Sequence, residues 1–271
     1  MSSTALSLPT MEVRRGVSRA TGAVRDSYAV AVRNLIAYKR VPQLLVFSTI
    51  QPVIFVLMFR YVFGGAIHIP GVRYVDYLMP GIFVQTVVFG SMAAAIGLAT
   101  DLKSGLLERF RSLPMARSAV LAGRTTADLM RNILVVALMT AVGFAVGFRI
   151  HNGVLGFLAG ALLVLFFGYT MAWVFATLGL AVGDPEAAQA AAFPVLAPLV
   201  FASSAFVSVS SMPGWLQPFA NHQPVSVTAS AVRALVLGGP TWTYLWQSLA
   251  WLAGILLVFV PLAVRRYRRA V

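Results

Sequence analysis

The chain has 271 residues, of which 59% are hydrophobic and only 11% charged, and its formal net charge is +13. A soluble domain is nearer half apolar and a quarter charged, so the composition indicates a membrane protein. The absence of cysteine excludes disulfides and thiol chemistry, and basic residues in short blocks between uncharged stretches argue against a nucleic-acid partner, which needs them on one soluble face.

The N-terminal part is predicted to lie on the membrane surface rather than across it. Residues 1–22 are polar, and we expect a disordered cytoplasmic tail. From residue 23 the transmembrane domain, 23–264, begins with a basic amphipathic helix in the headgroup plane. Lipid anchoring is the simpler role for this helix, and passing a partner's motion to the first span is the alternative. Its apolar stripe consists of Val24, Tyr28, Val32, Leu35 and Ile36.

Six stretches approach the length of about 20 apolar residues that a membrane-spanning helix needs. They are Gln43–Phe59, Tyr77–Thr100, Asn132–Phe148, Val154–Val182, Ala187–Val209 and Tyr244–Val264. After the fifth stretch, "SSMPGWLQPFANHQP" interrupts the apolar pattern with prolines and a glycine, which indicates an external interfacial or re-entrant hairpin. The predicted fold is therefore an all-α membrane protein with six transmembrane helices.

The distribution of charge predicts the orientation. Seven basic residues precede the first span, six lie in and beside the loop after the second, and four lie in the basic tail 265–271, whereas the opposite side keeps four. By the positive-inside rule both termini are cytoplasmic. We expect a multi-pass protein of the bacterial inner, or plasma, membrane, in contact with lipid.

The loop after the second span, "GLLERFRSLPMARSAVLAGRTTADLMR" (105–131), combines charges with an apolar stripe at helical spacing that Pro114 ends. A plain basic loop would satisfy topology, but this loop is longer than topology requires, so a docking surface is favoured. Asp128 and Arg131 are spaced to pair. The residues expected at the docking surface are Leu106, Leu107, Glu108, Arg109, Phe110, Arg111 and Leu113. Asp184 and Glu186, at a helix start after the fourth span, are a candidate second docking point.

Polar and kinking residues inside the spans suggest a substrate route. Gln51 and Gln85 either bond neighbouring helices or line a route, and Pro194 and Pro198 suit a gate or a static bend. The candidate route residues are Phe47, Gln51, Phe55, Gln85, Pro194 and Pro198, and further aromatic residues for an apolar wall are Phe59, Phe166, Phe167 and Phe175. Glycine pairs at a spacing of four permit close helix packing, within one subunit by default or at a dimer seam. These pairs are Gly143/Gly147, Gly156/Gly160 and Gly179/Gly183.

No enzymatic chemistry is expected from this chain. ATP hydrolysis needs a Gly-rich loop that ends in G-K-[ST], and neither Lys39 nor Lys103 follows a glycine. The histidines His68, His151 and His222 have no ligand-spaced neighbours, so we expect no metal site, and we expect no catalytic residue and no cofactor. No carboxylate is expected at mid-membrane depth, which counts against a stand-alone carrier or channel, the alternative interpretation.

The loop motif "GLLERFRSLPMAR…LAGR…DLMR" resembles the signature of type-2 ABC export permeases, most closely those of the daunorubicin-resistance type. "GDPEAAQAAAFPVLAPLVFASSAF" and "MPGWLQPFANHQPVSVTASAVRALVLGG" extend the resemblance to about residues 25–265. It implies that Leu102–Leu113 is a coupling helix seated on a separate ATPase subunit, with Glu108 and Arg109 at the contact. It also implies two ATPase subunits that bind ATP and Mg, a second permease, identical or related, and export of a drug or lipid-like molecule.

Overall fold

The computed structural model describes residues 42–67, 69–105 and 117–270, and within these ranges the chain forms helices and turns without any β-strand. The predicted all-helical fold is confirmed for these residues. The predicted tail 1–22 and most of the predicted N-terminal amphipathic helix lie outside them. Both stay predictions, as do the domain boundaries 23–264 and 265–271.

The described residues form eight α-helices. A π-helical turn, Met58–Phe63, continues the first without a break, and a short 3-10 turn, Val209–Ser211, precedes the sixth. The helices are α1 Pro42–Leu57, α2 Tyr74–Lys103, α3 Arg117–Ala145, α4 Gly153–Val182, α5 Pro185–Phe201, α6 Gln217–His222, α7 Pro224–Leu237 and α8 Thr241–Ala270.

Four of the six predicted spans are helices long and apolar enough to cross a membrane: α2, α4, α8 and the part of α3 over Thr125–Ala145. The other two predicted spans are helical but shorter, at Thr49–Phe63 and Pro185–Phe201. Six transmembrane helices therefore stay a prediction. Helices dominate because lipid offers no hydrogen-bond partner to the backbone.

Two predicted span boundaries are wrong. The third span was predicted to end at Phe148, but α3 ends at Ala145, because Gly147 takes a left-handed φ of 97° that ends the helix. α3 begins at Arg117, so Arg131 lies within this helix. The fifth helix ends at Phe201 rather than Val209, because residues 203–207 leave the helix and hydrogen-bond to other segments.

α2 is the central helix, and it packs against α1, α3, α4, α5 and α7. Its apolar window is 72% buried, whereas that of α8 is 22% buried, which places α8 at the periphery. Close backbone approach at α2 depends on glycine: a Cβ on Gly179 would lie 2.2 Å from the Ala95 carbonyl oxygen, and one on Gly81 would lie 1.9 Å from that of Ala205.

The six glycines of the pairs noted in the sequence have two different structural roles. Gly143, Gly156, Gly160 and Gly179 face side chains or backbone of other helices of the same chain, as expected for packing within one subunit. Gly147 and Gly183 have positive φ and end α3 and α4. They serve as helix stops, because glycine adopts the left-handed region without steric cost.

Helix α7 runs from the middle of α8 back towards the start of α8. At its beginning, Trp251 Nε1 of α8 donates to the His222 carbonyl at 2.9 Å, and Trp251 lies ten residues into α8, a distance of about 15 Å along the helix. At its end, the amides of His151 and Asn152 in the α3–α4 loop donate to the Val236 carbonyl at 3.1 and 3.0 Å. The chain thus turns inward after α5 and returns along α7.

Candidate functional site

The predicted docking residues, Leu106 to Leu113, fall in the segment 106–116 outside the described residues. The structure does describe where that segment leaves the bundle. α2 continues through Leu102 and Lys103, and Gly105 then takes a φ of 68°. The predicted helix Leu102–Leu113 is therefore wrong at its start, since its first two residues belong to α2 and a left-handed glycine follows them.

A carboxylate connects the end of α2 to the start of α5. Lys103 Nζ donates to Asp184 Oδ1 at 2.5 Å, in a contact where the two side chains are 65% and 41% exposed. Asp184 Oδ2 accepts the backbone N–H groups of Glu186 and Ala187, each at 3.1 Å. Asp184 is thus the N-cap of α5, and Pro185 occupies the first helical position, where a missing N–H costs nothing.

The charge of Asp184 follows from these contacts. The hydrogen bond from Lys103 and then that from the Ala187 backbone hold the pKa of the Asp184 carboxyl below its ordinary value. The group is therefore charged at neutral pH. Both of its oxygens are engaged within the chain, whereas the neighbouring Glu186 is exposed. Docking of an ATPase at Asp184 and Glu186 stays a prediction.

The structure divides the predicted route residues into a surface group and a buried one. Gln51, Pro194 and Pro198 are exposed and Phe55 is partly buried, while the side chain of Phe47 lies outside the described residues. Gln85 is only 2% exposed, and its Oε1 accepts no hydrogen bond in the described part of the chain. In this structure Gln85 belongs to the core, because α2 is covered by five other helices. Its place in a substrate route stays a prediction.

An aromatic cluster joins α1 to the end of α5. The ring of Phe206 stacks on Phe59, with centroids 4.5 Å apart, and it also stacks on Phe55 and Phe201 at 5.9 and 6.1 Å. Phe206 is 4% exposed, whereas Phe201 is 49% exposed. Sequence reasoning missed Phe201 and Phe206, although both stand in the quoted apolar run after "GDPEAAQ".

The predicted apolar wall is therefore only partly correct. Phe55 and Phe59 belong to the cluster, but Phe167 and Phe175 of α4 are 0% and 1% exposed and lie in the hydrophobic core. Phe166 is 38% exposed on the same helix. Successive residues of a helix point in different directions, so three α4 phenylalanines cannot share one wall with α1.

Asp76 at the start of α2 is buried, with 1% exposure. Its Oδ1 accepts the Arg149 amide at 2.9 Å, and its Oδ2 accepts the Arg73 guanidinium at 2.8 Å. His151 Nε2 lies 3.9 Å from the same Oδ2. These contacts fix the α3–α4 loop on α2. The sequence signal that could have found the site is a lone carboxylate beside Arg73 in an uncharged stretch.

Arg233 of α7 holds the chain after α5. Its Nε donates to the Tyr77 carbonyl at 2.9 Å, its Nη2 donates to the Ser204 carbonyl at 2.6 Å, and its guanidinium lies 3.7 Å from the centroid of the Tyr77 ring. Ser204 is also bonded to Ser226 of α7. A charge in an apolar helix is costly unless it has hydrogen-bond partners of this kind. An arginine in an apolar stretch of sequence therefore indicates a contact with another segment.

Arg131 lies at the middle of α3, about 21 Å from either end of the helix, and is 5% exposed. Its guanidinium donates to the Gly90 carbonyl of α2 at 2.5 Å and to Asn132 Oδ1 at 3.4 Å. The predicted pair with Asp128 stays a prediction. Asp128 itself is 3% exposed and lies about one turn before Arg131 in α3.

The described residues contain no group of three or more potential metal-ligating side chains, and the predicted absence of a metal site concerns the whole chain and stays a prediction. The described residues form a polar connection between the end of α2 and the start of α5. A set of polar and aromatic contacts lies at the opposite end of these two helices.

Comparison with known proteins gives a consistent result. A family model described as ABC-2 type transporter matches residues 26–237. The chain is 36% identical over 236 residues to a daunorubicin resistance ABC transporter permease protein of Streptomyces coeruleorubidus, covering 87% of this chain and 83% of that protein. It is 31% identical over 225 residues to a Mycobacterium tuberculosis protein named "Probable doxorubicin resistance ABC transporter permease protein", covering 82% and 81%.

Proposed function

The chain belongs to the ABC-2 type transporter family and is a membrane permease subunit of an ABC exporter, and from that premise we propose what it carries and how it is driven. The cargo is an amphipathic or hydrophobic drug or lipid-like molecule, moved out of the cytoplasm or the inner leaflet. The observation that carries the cargo class is the naming of relatives for resistance to daunorubicin and doxorubicin.

The side chains that face outward from α1 and α5 suit such a cargo. Phe55, Phe201, Pro194 and Pro198 are partly or fully exposed and apolar, and Gln51 adds one hydrogen-bonding group. A site for a drug-sized ligand is lined mainly by apolar and aromatic groups with a few polar ones. We therefore place the route along the exposed sides of α1 and α5. Gln85 would line this route only if the helices that cover α2 moved away during transport.

The topology that we propose has six membrane crossings and both termini in the cytoplasm of a bacterium. Basic residues are concentrated before α1, between α2 and α3, and after α8, which supports this orientation. α6 and α7 form the external re-entrant hairpin, because α7 begins beside the middle of α8 and returns to the outer α3–α4 loop.

Energy comes from a separate ABC ATPase docked on the loop 101–124, with two ATPase and two permease subunits in the complex. ATP and Mg would bind to the partner, since this chain lacks a Gly-rich loop with G-K-[ST]. A stand-alone carrier or channel is not favoured, because the relatives are named as ABC transporter permeases.

Co-purification tests the docking proposal. Glu108→Ala combined with Arg109→Ala is expected to release the ATPase from the affinity-tagged permease, because both charges leave the proposed contact. The matched control is Arg265→Ala with Arg266→Ala, a pair of exposed charges at the end of α8, which should retain the ATPase. Unchanged association and transport in the Glu108/Arg109 double variant would refute docking at this loop.

The cargo class is tested with daunorubicin, the drug named for one relative, and with a fluorescent phospholipid as a second probe. Cells that express the permease with its ATPase are expected to accumulate less daunorubicin than cells that express either alone. If neither probe is exported by an assembled, ATP-hydrolysing complex, the proposed cargo class is wrong.

A further inference from the structure

We infer that Lys103 and Asp184 are positioning residues through which movement of the docking loop reaches α5. The inference rests on the proposed function, in which the loop 101–124 receives the ATPase. Lys103 is the last residue of α2 and stands immediately before the turn that leads into the loop. Asp184 is the N-cap of α5. The contact therefore joins the chain leaving α2 to the first turn of another helix.

The two oxygens of the Asp184 carboxylate accept hydrogen bonds from different parts of the chain. Oδ1 accepts Lys103 Nζ, and Oδ2 accepts the first free N–H groups of α5. One rigid carboxylate therefore binds both Lys103 and the first N–H groups of α5. A displacement of Lys103 would move the start of α5 with it. An exposed ion pair adds little to stability, so the role of this pair lies in the geometry that it imposes.

The described side chains that α5 buries near Asp184 are small. Its buried residues are Ala188, Ala192, Leu196 and Val200, one per turn, and the two nearest the inner end are alanines. Pro194 and Pro198 each remove a backbone hydrogen bond from the middle of the helix. The outer end, by contrast, is fixed by Phe206 and Ser204. The inner half can therefore move while the outer half stays in place.

The cysteine-free chain permits a direct test. Gln189→Cys places one thiol in the second turn of α5, at an exposed position. Its labelling rate is measured in the purified permease–ATPase complex without nucleotide and after trapping with ATP and vanadate. We expect the two rates to differ by about fivefold or more, the lower end of typical coupling between sites.

Four variants of the Gln189→Cys chain separate the effect of the ion pair from that of the helix cap. Lys103→Met removes the pair and should abolish most of the nucleotide-dependent difference, while Lys103→Arg should preserve it. Asp184→Asn retains a capping oxygen but loses the charge, and should resemble Lys103→Met. Arg265→Met removes an exposed positive charge at the end of α8 and should behave as the unmodified background does.

Association of the ATPase is measured in the same samples. If the ATPase fails to co-purify with the parent chain, the proposed function is wrong. If it co-purifies and Lys103→Met keeps the full nucleotide response, the inference about the ion pair is wrong and the proposed function stands. Absence of any response at Gln189→Cys in an ATP-hydrolysing parent complex would also overturn the inference, because the inner end of α5 would then not move.

Discussion

Backbone groups bind each of three buried charges at the residue scale, and Asp76 is also paired with Arg73. Asp76 accepts the Arg149 amide, Arg131 donates to the Gly90 carbonyl, and Arg233 donates to two carbonyls. In a low-dielectric interior each of these groups would be costly without such partners. The consequence is that single polar residues, and not only apolar packing, fix how the helices meet.

Close backbone contacts at the same scale depend on single glycines. Gly179→Ala should destabilise the protein by about 1–3 kcal/mol, the usual cost of overpacking, because the new Cβ would lie 2.2 Å from the Ala95 carbonyl oxygen. Thermal unfolding of the detergent-purified chain measures the change. Gly254→Ala on α8 is the matched control, since its Cβ would meet nothing within 4 Å. Equal unfolding temperatures for the two variants would contradict the α2–α4 packing described.

Residue-level features could be predicted from sequence only where the local pattern determines them. The start of α5 was predicted correctly from Asp184 and Pro185, because capping depends on neighbouring residues. The burial of Gln85 and the stacking on Phe206 were not predicted, since they depend on which helices cover α2 and on where the chain after α5 returns. The docking residues 106–113 lie outside the described part of the chain, so their assignment stays a prediction.

At the element scale, length and hydrophobicity predicted α2, α4 and α8 well, because long uncharged runs in lipid have no alternative to helix. The prediction was weaker for α3 and α5. The third span was predicted to begin after Arg131, whereas α3 continues through this residue, whose contact with Gly90 could not be read from sequence. The fifth span was predicted too long because residues 203–207 form tertiary hydrogen bonds instead of continuing the helix.

The position of α7 depends on Arg233, and this gives an element-scale prediction. Arg233→Met should lower stability by about 1.5–3 kcal/mol, the range for hydrogen bonds to a charged group, because the carbonyls of Tyr77 and Ser204 lose their donor. The stability of Arg233→Lys should lie between those of the parent chain and Arg233→Met, because an ammonium group donates hydrogen bonds but cannot reproduce the planar fork of the guanidinium. Thermal unfolding and limited proteolysis of the segment 207–223 measure the effect. A Met variant as stable as the parent would show that the arginine does not hold α7.

At the scale of the whole molecule, contacts differ between the two ends of the bundle. The start of α2 and the end of α5 carry the Asp76 cluster, the Arg233 contacts and the Phe206 stack. At the opposite end, the described contacts of α5 include that of Asp184 with Lys103 and the packing of small buried residues. We propose that this second end faces the cytoplasm and receives force from the ATPase. This asymmetry is consistent with a permease that has no ATPase site of its own.

The central claim is that this chain moves its cargo only with energy from a separate ATPase. It is tested by uptake of daunorubicin into inside-out proteoliposomes that contain the purified permease, its ATPase or both. We expect uptake that requires both proteins and hydrolysable ATP, and that is lost with the Glu108→Ala, Arg109→Ala permease. Uptake by the permease alone, driven by an ion gradient and indifferent to ATP, would contradict it.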